Sequence, residues 1–329
     1  MILAGDIGAT KTNLALFEEG AGGELSKIEG RKFPSNDYAG LEAVITEFLD
    51  GRNLPVEAAA FGVAGPVIDG VSRITQLPWV ISRTSIQDTL RIDDVWLIND
   101  LEATAYGVPA LKEEQLVTLN EGHRESGGNL AVIAAGTGLG EAALVWDGAH
   151  YHVMASEGGH VDFAPRNELE IDLLRYLLTK KHRISYERIL SGPGLVNVYN
   201  FLKDTGKAEE PDWLRSEMES SDDAARTISQ TALAGRAEIC VKALDIFVSL
   251  YGAQAGNLAL TVKATGGVFV GGGIAPKIIE KLKDGAFIEA YKDKGRLSPL
   301  VEAAPVFVIM EPLTALIGAS RLARARKGR

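Results

Sequence analysis

The chain has 329 residues, of which 46% are hydrophobic and 24% charged, a globular composition that is long for one core and points to two packed lobes. With 34 Lys and Arg against 44 Asp and Glu, the formal net charge of −10 argues against a broad nucleic-acid-binding or membrane-surface face. A single cysteine, Cys240, excludes an internal disulfide framework and a Cys-rich zinc site.

Residues 1–5 read as a short strand and 13–18 as a second. The loop Asp6-Ile7-Gly8-Ala9-Thr10-Lys11 joins them as a hairpin. A weaker strand is expected over 28–33. Leu41, Ile45, Phe48 and Leu49 recur at helical spacing, and Gly51 ends that helix. Residues 58–63 and 95–98 are apolar strands, the second ending at Asn99-Asp100. A helix follows, and Pro109 stops it.

A second round begins at 129–135, a strand that runs into Gly136-Thr137-Gly138-Leu139-Gly140 and then a strand to Trp146. Helices are expected over 169–178 and 194–202, with a long helical region over 222–263. The charged stretch 208–224 reads as a surface excursion. Residues 266–273 are a strand ending in three glycines, with a helix opening at Pro276. A last strand over 305–310 precedes a helix from Leu313. The basic residues 321–329 read as its solvated end. The expected domains are 1–109 plus 302–329, and 110–301. No charged leader with an apolar run opens the sequence, and no apolar stretch is expected to span a bilayer, so a cytoplasmic location is expected.

The strand–glycine turn–strand unit near Gly5 recurs near Gly136. Such turns present backbone N–H groups, and Thr10 or Thr137 a hydroxyl, toward a phosphate. Asp6 in the first turn can hold a magnesium ion through water. The alternative is a plain hairpin whose glycines serve turn geometry alone. Gly271-Gly272-Gly273 either borders a flat ligand or packs a helix closely on a strand. Asp100 is either a general base at a strand end or a helix cap. Glu157-Gly158-Gly159-His160 sets a carboxylate and an imidazole near paired glycines, a pairing suited to polyol hydroxyls. Cys240 reads as a core thiol, and Glu187, taken alone, as an ordinary surface residue.

Together these pieces resemble the bacterial glucokinase family, within the actin-like sugar kinase superfamily. The resemblance rests on Glu157-Gly158-Gly159-His160-Val161-Asp162-Phe163-Ala164-Pro165, on Leu190-Ser191-Gly192-Pro193-Gly194-Leu195-Val196-Asn197, on residues 266–276 and on Lys292-Asp293-Lys294-Gly295-Arg296. It implies an α/β fold with two lobes around a deep cleft, commonly as a homodimer, and ATP-dependent transfer to the 6-hydroxyl of glucose, the first step of glycolysis. It implies Asp100 as the base and Asn99 as a sugar ligand beside it. Glu157, His160 and Glu187 would hold the other hydroxyls. Asp6, Gly8 and Thr10 would take phosphates and Mg2+, with Gly136, Thr137 and Gly138 opposite and Gly271, Gly272 and Gly273 at the nucleotide.

Three positions depart from the family pattern. Ala9 stands where a second glycine is usual, Lys11 where Asn is common, and Gln76 where Asn is expected near the sugar. The rival readings are a kinase for mannose, fructose or an N-acetylhexosamine, and a sugar-sensing regulator without turnover. An opening at Gly5 leaves no room for an N-terminal DNA-binding helix pair, which weighs against the regulator, and neither nucleic acid nor membrane is an expected partner.

Overall fold

The computed structural model describes residues 1–52, 55–74 and 77–328. The chain divides into two units, Met1–Lys112 with Glu311–Arg329, and Glu113–Met310.

The first unit opens with the antiparallel pair β1 (Ile2–Ile7) and β2 (Lys11–Glu19), extended by β3 (Leu25–Pro34). After α1 (Leu41–Leu49), β4 (Ala58–Val63) lies parallel to β1. Short strands β5 (Val67–Ile68), β6 (Val71–Arg73) and β7 (Val80–Ser82) make a separate small sheet. Then come α2 (Arg83–Leu90), β8 (Val95–Asn99) and α3 (Asp100–Gly107). The main sheet has the order β3-β2-β1-β4-β8. Every residue of β4 is buried, as a parallel strand covered on both faces requires. Leu3, Ala59 and Phe61 face one core with Val44 and Phe48 of α1. Ile2, Ala58 and Ala60 face the other, with Ala103.

The second unit contains β9 (Leu116–Asn120), β10 (Leu130–Ala135), β11 (Leu139–Trp146) and β12 (Tyr151–Ser156). Helices α4 (Glu168–Leu178), α5 (Gly192–Asp204), α6 (Asp212–Glu219), α7 (Ala224–Leu233) and α8 (Glu238–Val262) follow. The unit ends with β13 (Gly267–Gly271), α9 (Ile279–Leu282), α10 (Ala286–Lys292), α11 (Ser298–Ala303) and β14 (Val306–Ile309). Its sheet order is β12-β11-β10-β13-β14-β9. The first five strands repeat the first sheet: in sheet order, a three-stranded antiparallel meander, then two strands parallel to its last. Finally α12 (Thr314–Arg326) rejoins the first unit and packs on α3, β1 and β4.

Several expectations shift. The return to the first unit was expected at 302, but Val306–Ile309 is paired with β13 and β9, which keeps the chain in the second unit through Met310. The long helical region is two helices, α7 and α8, separated at Gly235, which takes φ 63°. The charged excursion contains α6, anchored by the buried Leu214. Among the described residues one helix, α8, is long and apolar enough by composition to cross a membrane, against the expectation. It is mostly buried in the second unit, where its apolar residues meet α5, α7 and α10. Cys240 lies in that core, and burial pushes its thiol up to about 12, which makes it unreactive as a nucleophile.

Candidate active site

In the first unit the parallel register sets Ile7, Val63 and Asn99 in one row, so the ends of β1, β4 and β8 share one edge of the sheet. The carboxyl edge of parallel strands is where α/β folds bind ligands. The β1–β2 turn is closed by Gly8, whose N–H donates to Lys11 O at 2.9 Å. Ser35 braces it from β3's end: its hydroxyl donates to Gly8 O at 2.8 Å, and its N–H to Thr10 O at 3.1 Å. Ala9 is not at positive φ and packs on the neighbouring core, so the turn accommodates a Cβ there. Lys11 contributes its carbonyl to the turn while its side chain is exposed. Gln76 and Thr75 lie outside the described residues.

Asp6 sits opposite Asn13 across the hairpin, and Asn13 Nδ2 donates to Asp6 Oδ2 at 3.1 Å. Burial pushes the Asp6 carboxyl up, against the pull of that amide. Among the described residues no group of three or more His, Cys, Asp or Glu could enclose a metal ion. Magnesium needs less: one carboxylate, with nucleotide phosphates and water completing its shell. A desolvated carboxylate with no cationic partner among the described residues, beside a phosphate-type turn, fits that donor set.

At the end of β8, Asn99 caps α3. Its Oδ1 accepts from Leu101 N at 2.8 Å, and Glu102 accepts from Asn99 N at 3.0 Å. The cap role weighed for Asp100 therefore belongs to Asn99, and Asp100 is the first helical residue. Asn99 Nδ2 also donates to Gly65 O at 3.2 Å, holding the β4 loop against β8. Gly62 lets α3 approach β4: a Cβ there would lie 2.7 Å from Ala103 Cβ.

In the second unit the turn Gly136–Gly138 stands between β10 and β11, where Gly136 N donates to Gly138 O at 2.8 Å. The N-terminus of α5 abuts it: Gly192 N donates to Gly136 O at 2.8 Å, and Ser191 caps the helix through Gly194 N. Such a terminus favours anions. Gly271 ends β13 beside Ala134 of β10. Gly272 takes φ 83°, and any Cβ would collide with Ala135 O, so it meets the close-packing reading. Gly273 and Gly136 open onto free space, so these two leave backbone accessible to a ligand.

Glu157, His160 and Glu187 come together. Hydrogen bonds from Phe163 N to Ile184 O at 3.0 Å and from Tyr186 N to Val161 O at 3.1 Å stitch their two segments side by side. His160 Nε2 then lies 3.9 Å from both Glu157 Oε2 and Glu187 Oε2. Glu187 also reaches the glycine turn, where its Oε2 accepts from Leu139 N at 3.2 Å. A Cβ at Gly138 would lie 2.6 Å from Glu187 Oε2, so the bare glycine lets that carboxylate approach the turn. Gly159 is glycine because a Cβ would collide with Leu139 O. His152 pairs with Asp147 at 2.5 Å on the exposed β11–β12 hairpin, apart from this cluster.

A glucokinase family model matches residues 3–326. The glucokinase of Nostoc punctiforme is 40% identical over 97% of this chain and 98% of its own. The chain belongs to the glucokinase family. The solved glucokinase from an Antarctic psychrotroph agrees, with a TM-score of 0.87 at 31% identity over 98% of each chain. A ROK-family glucokinase from Streptomyces griseus, in complex with glucose and AMPPNP, shares the fold at 20% identity, with a TM-score of 0.64 over 98% of this chain and 99% of its own. Membership makes this an α/β sugar kinase of the actin-like fold and an enzyme. Some residues that brace the glucokinase site gave no motif: Asn13, Ser35 and Glu102 in the first unit, and Glu141 and Gln254 in the second. The available signal was polarity inside an apolar strand, as at Glu141.

Proposed function

We propose that the protein transfers the γ-phosphoryl group of ATP to the 6-hydroxyl of glucose, in the cytoplasm, as the first step of glycolysis. The observation that carries this reading is the gathering of Glu157, His160 and Glu187 against the Gly136–Gly138 turn. Three polyol-binding groups and a phosphate-type turn share one patch of the second unit. The Streptomyces griseus relative, with glucose and an ATP analogue, supports the same pairing of ligands.

In this proposal the side chains of Glu157, His160 and Glu187 fix the sugar hydroxyls, with Asn99 assisting. A buried polar group left unpaired costs about 1–3 kcal/mol, enough to disfavour a hexose with one inverted hydroxyl. Asp100 accepts the 6-hydroxyl proton as the oxygen bonds to the γ-phosphorus; the bond to the bridging oxygen breaks and ADP leaves. The backbone N–H groups of both glycine turns hold the phosphates, and Gly273 leaves room at the nucleotide. Magnesium at Asp6 would offset charge on the phosphates. The proposal includes a homodimer, which a one-chain mass in sedimentation would remove.

A coupled assay with ATP and magnesium tests the reading against glucose, mannose, fructose and N-acetylglucosamine. The expected result is the highest kcat/KM for glucose. ADP formation with none of the four would overturn it, and a clear preference for another hexose would hand the site to that sugar.

A further inference from the structure

Beneath the Glu157–His160 turn lies a chain of buried and half-buried polar groups that the reaction itself does not use. Glu141 stands in β11, and its neighbours Ala142, Ala143 and Leu144 are core residues. Its own exposure is only 3%. Gln254 Nε2 donates to Glu141 Oε1 at 2.8 Å. Asn257 Nδ2 donates to Gln254 Oε1 at 3.0 Å and lies 3.1 Å from the Tyr186 hydroxyl, to which it also donates. Gln254 and Asn257 are one turn apart on α8, so a single rigid helix carries the middle of the chain.

The two ends are what matter. At one end Glu141 Oε2 lies close under the sugar turn, with room for Gly158 but not for a Cβ there. At the other end Tyr186 immediately precedes Glu187. The chain Gly158–Glu141–Gln254–Asn257–Tyr186 therefore runs under the cluster from the turn that carries Glu157 and His160 to the turn that carries Glu187. A carboxyl buried without a cation is costly, and burial here pushes Glu141 toward its neutral form. An apolar residue would fill the strand without that cost. Hydrogen bonds are directional, so the set fixes Glu141 relative to Tyr186, and the close approach of Glu141 Oε2 to Gly158 passes that position to the sugar turn.

We propose that Glu141, Gln254 and Asn257 form a positioning relay that sets the spacing between His160 and Glu187, and through it the affinity for the sugar. The inference rests on the reading of Glu157, His160 and Glu187 as sugar ligands. None of the three relay residues touches substrate; they act through the two turns.

The test compares the wild-type full chain with Gln254→Met, which breaks the relay in the middle, and Asn257→Leu, which breaks it at the Tyr186 end. Glu141→Gln keeps an acceptor for Gln254 and serves as the conservative variant. Expected are a glucose KM raised about tenfold in both breaking variants, with ATP KM and kcat within about twofold, because misplacement of ground-state ligands acts on sugar binding first. Glu141→Gln should stay within about threefold of wild type in glucose KM. If one breaking variant does not fold, the other decides. Unchanged glucose KM, or equal losses in glucose KM and ATP KM that track a fall in Tm, overturns the relay. A wild-type enzyme that turns over no glucose overturns the functional reading first, and the relay with it.

Discussion

Asp100 shows how far a single residue can be read. Its place at the end of an apolar strand was legible, because 95–98 is uninterrupted and Asn-Asp is a poor continuation. Which of the two residues caps the helix was not legible, since both can, and only the geometry gives the cap to Asn99. The N-cap position is thus Asn99, while Asp100 Oδ1 shares the Leu101 N–H at 2.8 Å. Asp100→Asn keeps the size and leaves the Asn99 cap intact, but an amide cannot take a proton. The expected outcome is a kcat lowered about a hundredfold or more with glucose KM little changed. Steady-state kinetics alongside a circular dichroism spectrum check it; near-normal kcat would return the base role to another group. Glu187 is the opposite case. Its local sequence carries no chemistry, and it joins His160 only because 161–163 and 184–186 are stitched together, a pairing that no local pattern encodes.

Elements were legible where burial is continuous or periodic. β1, β4 and β10 are apolar runs, and the glycine turns follow them directly. The small sheet β5–β7 escaped because its strands are two or three residues long, and α2 because its sequence is polar with only Ile86 buried. The contact of α3 with α12 was equally hidden. A Cβ at Gly318 would collide with Ala103 O, and one at Gly107 with Thr314 O, so two glycines on facing helices let the backbones touch. This fixes the sign of a substitution. In an ordinary helix interior Gly→Ala stabilises by about 0.5–1 kcal/mol. At Gly318 the added methyl must push the helices apart, and overpacking of this kind costs about 1–3 kcal/mol. Gly318→Ala is expected to lower stability, with the loss confined to the first unit. Urea unfolding followed by hydrogen exchange would show it, and a higher midpoint than wild type would contradict the close packing.

Across the whole molecule the chain leaves the first unit, builds the second, and comes back, so that unit depends on both chain ends. Glu57 joins them: its Oε2 lies 3.0 Å from the Met1 amino group and 2.9 Å from Lys327 Nζ. Gly328 N adds a bond to Asp94 Oδ2 at 2.8 Å. Lys327 and the N-terminus together hold the Glu57 carboxyl down to about 2, from 4.5. A folded value below the unfolded one means that the unfolded chain binds the proton more readily. The contribution is therefore complete above pH 4.5 and is lost as pH falls toward 2. Asp6 and Glu141 act with the opposite sign. Their raised values favour the protonated fold, so their contribution declines as pH rises past the ordinary carboxylate range. Measuring Glu57→Gln against wild type cancels those shared terms. The difference in Tm should be positive for wild type near neutrality and shrink steadily below pH 4.5. Glu57 is half exposed, so the difference should also shrink in molar salt, where the screening length falls to about 3 Å. A Tm difference that is flat from pH 3 to 7 would mean that the two chain ends are held by packing of α12 alone and that the ion pairs add nothing.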